Sequence, residues 1–374
     1  MKMFNQKLAV LTLVLSGVFS TSAFAFEAAN EQGKAANTEH AAGEFSGNLR
    51  IGYISADDDS SDRAHSSAIG GELSYSSAVW QGISATGTLY TTQKLFNDDD
   101  SSFFSSTGDS YAILGQAYLQ ANISDTEIKV GRFGFDSPHA DMDDIRMVPN
   151  TFTGVLVTNT SLADSTVYLA HLDKWSGVDS NKPEDFTDLN GSGGVNIFGV
   201  VYQGLENVAL QGWYYHAKDL ADLFYVAAET EFENITFGVQ YAKQTANSND
   251  LSGPDGNVYG ISASYSINDF TFSSSYNHVS GTITNGFGAG PFFTSAADHT
   301  IAGVLDQNAL AIGIDYSGID NLTIGLLNVA FDKGADEFDV FVSYDFGNDM
   351  AFDFIYHHLH QDGDMVLAMF NLGF

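Results

Sequence analysis

Histidine side chains near the end of the chain are the first residues whose type and spacing could support chemistry. His357, His358 and His360 lie within four positions of one another. On a β-strand only His358 and His360 would share a face, because side chains alternate with a period of two. A zinc site needs three or four ligands. We therefore expect histidines at a surface rim, no metal site and no cofactor.

Two acidic runs could bind divalent cations, which take several carboxylate oxygens as ligands. They are residues 57–59 and 98–100, each made of three consecutive aspartates. The ligand spacing of an EF-hand is absent from both. Solvated acidic loops are therefore the favoured interpretation.

Motifs of known enzymes do not occur in this sequence. There is no Gly-x-Ser-x-Gly and no His-Glu-x-x-His. Gly286, Gly288 and Gly290 lack the strand-to-helix context of a dinucleotide site and indicate a flexible loop. A serine–histidine pair assembled across strands stays open in principle, but nothing selects one. The sequence predicts a protein that is not an enzyme.

The first residues have the order of a secretory signal. Lys2 and Lys7 precede an apolar run over 8–19, and Ala23-Phe24-Ala25 ends the segment. The run is shorter than the roughly 20 apolar residues that a spanning helix needs. We expect a signal peptide over 1–25, a polar lead segment over 26–44 and the folded part over 45–374.

Charge and composition narrow the class of protein further. The predicted signal holds two of the 14 basic residues, so the mature chain has 12 basic and 47 acidic residues, a net charge of −35. Such a chain repels nucleic acid. It has no cysteine, which excludes disulfides, and its 29 Phe and 17 Tyr argue against disorder.

The elements that must position any site are strands of about ten residues, the length that crosses a bilayer at a tilt. The alternation is clearest at the end of the chain, where residues 366, 368, 370, 372 and 374 are apolar and share a face. Phe352, Phe354 and Tyr356 share a face one strand earlier, opposite Asp353. Trp80, Trp213 and Tyr356 are expected in aromatic girdles at the membrane interfaces.

Connectors between these strands alternate in length along most of the chain. Short ones are centred on Asn and Asp, which suit tight hairpins. Long, polar ones cover 56–66, 95–110, 135–150, 174–192, 244–256 and 282–306. We predict an all-β transmembrane antiparallel barrel of about eighteen strands in the bacterial outer membrane, with short periplasmic turns and long external loops. Sixteen strands is the alternative, because the strands at 222–232 and 336–346 depend on very short loops.

Residues 127–157, EIKVGRFGFDSPHADMDDIRMVPNTFTGVLV, resemble the signature of OprD-type porins of Gram-negative bacteria. The matching features are Gly131-Arg132, Asp136-Ser137-Pro138, the acids of 141–144, and Pro149-Asn150-Thr151-Phe152. Segments 45–55 and 78–93 resemble that family as well. The resemblance implies that the third external loop folds into the lumen and narrows it.

The resemblance also implies a set of site residues and partners. The expected constriction and selectivity residues are Arg50, Arg132, Asp136, Asp141, Asp143, Asp144 and Arg146. Phe370, Leu372 and Phe374 would form the signal read by the outer-membrane assembly machinery. Other expected partners are small hydrophilic solutes, outer-membrane lipid and lipopolysaccharide. A homotrimer is a possible oligomeric state.

The function that follows is passive diffusion of small hydrophilic solutes and ions through a porin. The acidic excess favours cations, because 12 basic residues cannot build a long basic row. The alternatives are a structural or adhesive barrel without an open channel and, less directly, a barrel enzyme. For the charged residues, the structural alternative is that Arg–Asp pairs only fix the loop to the wall.

Overall fold

The computed structural model describes residues 43–57, 63–96, 102–247, 255–288, 290–360 and 363–374, and these form strands and loops. The predicted signal peptide, nearly all of the lead segment, Asp58, Asp59 and residues 98–100 lie outside the described residues. Among the described residues, no helix is long and apolar enough to cross a membrane. The strands are β1 (Glu44–Asp57), β2 (Ala64–Ser76), β3 (Ile83–Lys94), β4 (Tyr111–Ile123), β5 (Thr126–Phe133), β6 (Thr151–Asn159), β7 (Ser165–Ser176), β8 (Thr187–Asp188), β9 (Val195–Leu205), β10 (Val208–Ala217), β11 (Ala221–Phe232), β12 (Ile235–Ala246), β13 (Gly256–Ile267), β14 (Phe270–Gly281), β15 (Asn308–Ile319), β16 (Leu322–Phe331), β17 (Glu337–Gly347), β18 (Met350–Leu359) and β19 (Gly363–Gly373).

Antiparallel pairing closes these strands into a barrel. Each long strand pairs with the next, and β19 pairs with β1. The two-residue β8 pairs only with the end of β7, while β7 also pairs with β9. Eighteen strands therefore form the wall, which confirms the predicted number and rules out sixteen. Closure leaves no unpaired edge, as a sheet in lipid requires.

The periplasmic turns lie where the sequence predicts them, and their backbone explains the residue types. Ser124, Asn207, Glu233, Asn268 and Asn321 all have positive φ values, between 51° and 63°. Asn tolerates this left-handed region better than most residues, and it occupies three of the five positions. Local turn chemistry therefore fixes the hairpin register at this end of the barrel.

Alternation along each strand separates a lipid-facing side from a lumenal side. In β1, Leu49, Ile51 and Tyr53 are exposed on the outer face. Arg50 and Ile54 alternate with them and are buried inside the barrel. The same alternation holds for the predicted apolar faces of β18 and β19. An apolar outer face matches the hydrocarbon of the membrane, while the interior accepts polar groups.

One predicted girdle residue, Trp213, instead fills the interior, so that expectation was wrong. It is 1% exposed, whereas its neighbour Tyr214 is 41% exposed on the outer face. The indole stacks on Tyr168 with ring centroids 5.2 Å apart, and its Nε1–H donates to Gln211 Oε1 (2.9 Å). A Cβ on Gly199 would lie 2.2 Å from the indole, so glycine makes room for it. Whether an aromatic side chain reaches the membrane depends on which face of its strand it occupies, and residue type alone does not reveal that.

Candidate functional site

The third external loop, L3 (residues 134–150), crosses the inside of the barrel, as predicted. It leaves the wall between β5 and β6. At one side Asp144 contacts Arg50 of β1, and at the other the His139 amide donates to the Tyr215 hydroxyl of β10 (3.2 Å). Contacts with walls on both sides require L3 to lie across the lumen.

Arg50 is the anchor of L3 at β1. Its two terminal nitrogens donate to the two carboxylate oxygens of Asp144, both at 2.5 Å, and one also donates to the Arg146 carbonyl (2.7 Å). Arg50 is 8% exposed. A planar guanidinium suits this bidentate geometry, and burial makes such a pair matter more than a surface pair.

Acidic wall residues surround the Arg50 anchor. Glu72 of β2 and Asp353 of β18 both interact electrostatically with Arg50. Asp353 accepts hydrogen bonds from Ser343 Oγ (2.7 Å) and Asn371 Nδ2 (3.0 Å). Glu72 is not among the site residues predicted from the sequence. The available signal was alternation along β2, which puts Glu72 on the opposite face from the exposed Leu73 and Tyr75.

A second loop, L7 (residues 282–307), meets L3 inside the barrel. The Asp141 amide donates to the Phe287 carbonyl (3.1 Å), and the Phe287 amide donates to the His139 carbonyl (2.9 Å). Gly286 has φ +97°, and a Cβ there would lie 2.2 Å from the His139 carbonyl oxygen. The predicted flexible glycine loop is therefore a packed contact, because glycine permits two backbones to approach closely.

His139 of L3 contacts both L7 and the barrel wall. Its ring lies edge-on to Tyr215, Tyr225 and Phe292, and its Nδ1 is 2.8 Å from the Asn285 carbonyl. Burial lowers the pKa of His139 to about 4, although the Asn285 carbonyl opposes this shift. The imidazole is therefore neutral at pH 7 and serves as a packing residue.

Asp141 and Asp143 of L3 form a cluster of carboxylates with Asp179, which lies in the loop after β7. Burial, then the carboxylates of Asp179 and Asp141, raises the pKa of Asp143 well above its usual value. Asn150 links the cluster, since its Nδ2 donates to Asp179 Oδ2 (2.6 Å) and its Oδ1 accepts from the Asp179 amide (3.1 Å). Arg146 acts electrostatically against this excess of negative charge.

Two other predicted constriction residues have local contacts. Asp136 Oδ1 accepts the Met142 amide (2.9 Å) and so shapes L3 itself. Arg132 pairs across the sheet with Thr153, next to the buried pair Phe133 and Phe152, so its side chain leaves the other face of β5. Arg132 donates to the Leu114 carbonyl (3.0 Å) and stacks on Phe186, 4.3 Å from the ring centroid. It lies apart from the Arg50 contacts.

Two of the predicted assembly residues lie on the last strand, and the third, Phe374, follows it directly. Phe370 and Leu372 of β19 face outward, and Phe374 is 64% exposed. The Phe374 amide and carbonyl both pair with Gly47, each at 3.0 Å. The chain end therefore takes part in closing the barrel, beside the first strand.

Comparisons with known proteins agree with this architecture. The family model described as "outer membrane porin, OprD family" matches residues 84–297. The crystal structure of OccAB4 from Acinetobacter baumannii has a TM-score of 0.75 at 18% identity, covering 90% of this chain and 99% of that one. OccK9 (OpdG) from Pseudomonas aeruginosa has a TM-score of 0.76 at 17% identity, covering 89% and 98%.

A BenF-like porin from Pseudomonas fluorescens Pf-5 is similar to the same extent. Its TM-score is 0.76 at 16% identity, and the match covers 90% of this chain and 99% of that one. A sequence search among curated proteins finds no match. At these identities the structural likeness establishes the fold, and the family model covers more than half of the chain. The protein belongs to the OprD family of bacterial outer-membrane porins, which are channels and not enzymes.

Proposed function

We propose that this porin is a passive channel for small hydrophilic solutes and ions that prefers cations. The observation that carries the proposal is the charge around the L3 anchor. Arg50 is already committed to Asp144, while Glu72 and Asp353 lie at the same level of the wall. Carboxylates therefore outnumber guanidinium groups there. In a narrow lumen such an excess attracts cations and repels anions.

Arg146 and the acidic residues of L3 change the strength of the electric field in the lumen but not its sign. Arg146 opposes the cluster of Asp141, Asp143 and Asp179. Burial and the neighbouring carboxylates raise the pKa of Asp143, so this residue contributes less negative charge than its formal charge implies. We assign selectivity mainly to Glu72 and Asp353, because the charge of Asp144 is compensated by Arg50. In place of the predicted constriction role, we propose that Arg132 supports the loop after β7 by stacking on Phe186.

The test is single-channel recording of the mature protein in a planar bilayer, with the reversal potential measured across a KCl gradient. We expect stepwise openings and a potential of the sign for K⁺ preference. Glu72→Gln and Asp353→Asn should each move the potential toward zero. Asp320→Asn, at an exposed periplasmic turn, is the matched control and should leave it unchanged.

Anion preference in the wild type would refute the cation proposal. Folded protein that never conducts would refute the open channel and favour the structural alternative. A shift produced equally by Asp320→Asn would show that total charge, and not the Arg50 region, sets selectivity.

We propose further that residues 1–25 are a cleaved signal peptide and that 26–44 is a periplasmic lead. Phe370, Leu372 and Phe374 are proposed as the signal for the assembly machinery, supported by their place at the end of the strand that closes the barrel. Lipopolysaccharide contact and a homotrimer stay predictions. Mass spectrometry of the N-terminus would test the signal peptide, and the outer-membrane yield of Phe374→Ala would test the assembly signal.

A further inference from the structure

A cluster of buried polar side chains lies where L7 touches the wall at the external ends of β17 and β18. Glu337 and Asp339 alternate with outward Phe338, and His357 of β18 pairs in register with Asp339. Glu337, Asp339 and His357 are 1%, 0% and 3% exposed. Two carboxylates and an imidazole are thus enclosed together inside the barrel.

The backbone of L7 covers the cluster. Glu337 Oε1 accepts the Asp298 amide (2.9 Å), and Oε2 accepts the His299 amide (2.7 Å). Asp339 Oδ2 accepts the Ala297 amide (3.2 Å). These amides position L7, but they are neutral donors and compensate the two buried negative charges only in part.

Two atoms of the cluster have no hydrogen-bond partner. They are Asp339 Oδ1 and His357 Nδ1, both on residues more than nine-tenths buried. His357 Nδ1 is 3.7 Å from Glu337 Oε1. One ligand atom from each of Glu337, Asp339 and His357 lies within 4.8 Å of the other two. Buried polar atoms are normally satisfied, so convergent unsatisfied acceptors indicate a missing ligand.

We propose that Glu337, Asp339 and His357 bind a divalent transition-metal ion of the Zn²⁺ type. One imidazole nitrogen with two carboxylate oxygens suits Zn²⁺, whereas Ca²⁺ and Mg²⁺ prefer oxygen ligands alone. Zinc–ligand distances of about 2.0–2.1 Å at tetrahedral angles place ligand atoms roughly 3.4 Å apart. The three atoms, which lie within 4.8 Å of one another, would have to move closer by up to about 1.4 Å to reach that spacing. A fourth position is left for water.

Other polar and charged side chains lie around the three proposed ligands. His299 Nδ1 lies 3.5 Å from both Asp298 Oδ2 and Glu337 Oε2, and Arg146 acts electrostatically on His357. Because Glu337 and Asp339 also hold the L7 amides, a bound ion would fix L7 to the wall. Metal occupancy would then set how far L7 stands into the lumen.

The test is calorimetric titration of EDTA-stripped, folded protein in detergent with ZnCl₂, followed by visible absorption of the Co²⁺-loaded protein. The wild type should take up one ion and show the absorption of tetrahedral Co²⁺. His357→Ala and Asp339→Asn should weaken binding by roughly 10–100-fold or more, since even groups that merely orient a ligand change affinity by that factor. His358→Ala is the matched control, because His358 faces outward beside Asp364, and it should bind as the wild type does.

Absence of uptake by the wild type would overturn the proposal, and a proton shared by the two carboxylates would then neutralise the pair. Uptake that survives His357→Ala, or that His358→Ala abolishes equally, would also overturn it. Circular dichroism shows whether each variant has folded, and Asp339→Asn keeps the side-chain volume if His357→Ala fails to fold. Calorimetry does not depend on conduction, so this result is independent of the porin test.

Discussion

Removing the Arg50 guanidinium should release L3 from the wall at β1. Arg50→Ala deletes three hydrogen bonds, two to Asp144 and one to the Arg146 carbonyl. The Asp144 side chain is 33% exposed and can rehydrate, so the full cost of stranding a buried charge does not apply. We expect roughly 2 kcal/mol, which is about a thirtyfold change in the ratio of anchored to released L3.

Single-channel recording measures this release directly. Arg50→Ala should show a larger mean conductance and more open-channel noise, because L3 no longer stays at one distance from β1. Arg63→Ala is the control, since the Arg63–Asp57 pair has the same 2.5 Å separation but lies exposed at the external rim. Asp144→Ala should resemble Arg50→Ala, and the double variant should add little because the two residues form one contact.

Wild-type conductance and noise in Arg50→Ala would refute the anchoring role of Arg50. An equal effect of Arg63→Ala would also refute it, because loss of any arginine would then be enough. Additive effects of Arg50→Ala and Asp144→Ala would show that the two side chains act separately.

Three further predictions concern L3 and L7. Burial lowers the pKa of His139 to about 4, so neutral His139 contributes roughly 3 kcal/mol to the free energy of unfolding above pH 6.5, and this contribution is lost as the pH falls through 4. Channel noise should therefore rise over that pH range in the wild type and stay constant in His139→Phe. Asp143→Asn should shift the reversal potential less than Glu72→Gln does, because burial and the neighbouring carboxylates raise the pKa of Asp143 and so favour its neutral form; a shift as large as that of Glu72→Gln would contradict this. Gly286→Ala should loosen the L3–L7 contact, because a Cβ there would meet the His139 carbonyl, and increased proteolysis of L7 checks this. Gly303→Ala is the control for backbone strain, since Gly303 also has a positive φ (+79°) but a Cβ there meets nothing within 4 Å.

Period-two alternation and turn chemistry were sufficient to predict the wall of the barrel. The polar turns at Asn207, Asn268 and Asn321 have the positive φ that their residue types favour. Both signals are local, because a strand's outward face and a hairpin's backbone depend on residues a few positions apart. The strand number followed from them, including the two strands bordered by very short loops.

Contacts inside the barrel depend on distant segments, so alternation alone did not predict them. The sequence indicated that L3 turns inward through its family resemblance, but not that Arg50 holds Asp144, 94 positions away. It also treated the L7 glycines as a flexible loop and placed Trp213 at the membrane interface.

The histidines in and directly after β18 show most clearly what the sequence predicts and what it does not. Alternation correctly separates His357 from His358 and His360, and on one strand that leaves too few ligands for a metal. The register of β17 against β18 sets Asp339 opposite His357, with Glu337 nearby. Sequence by itself determined which side chains of β18 share a face, because that is a property of one strand. Only the tertiary structure decided which side chains meet across the lumen, because that depends on strand register and on where L3 and L7 pack.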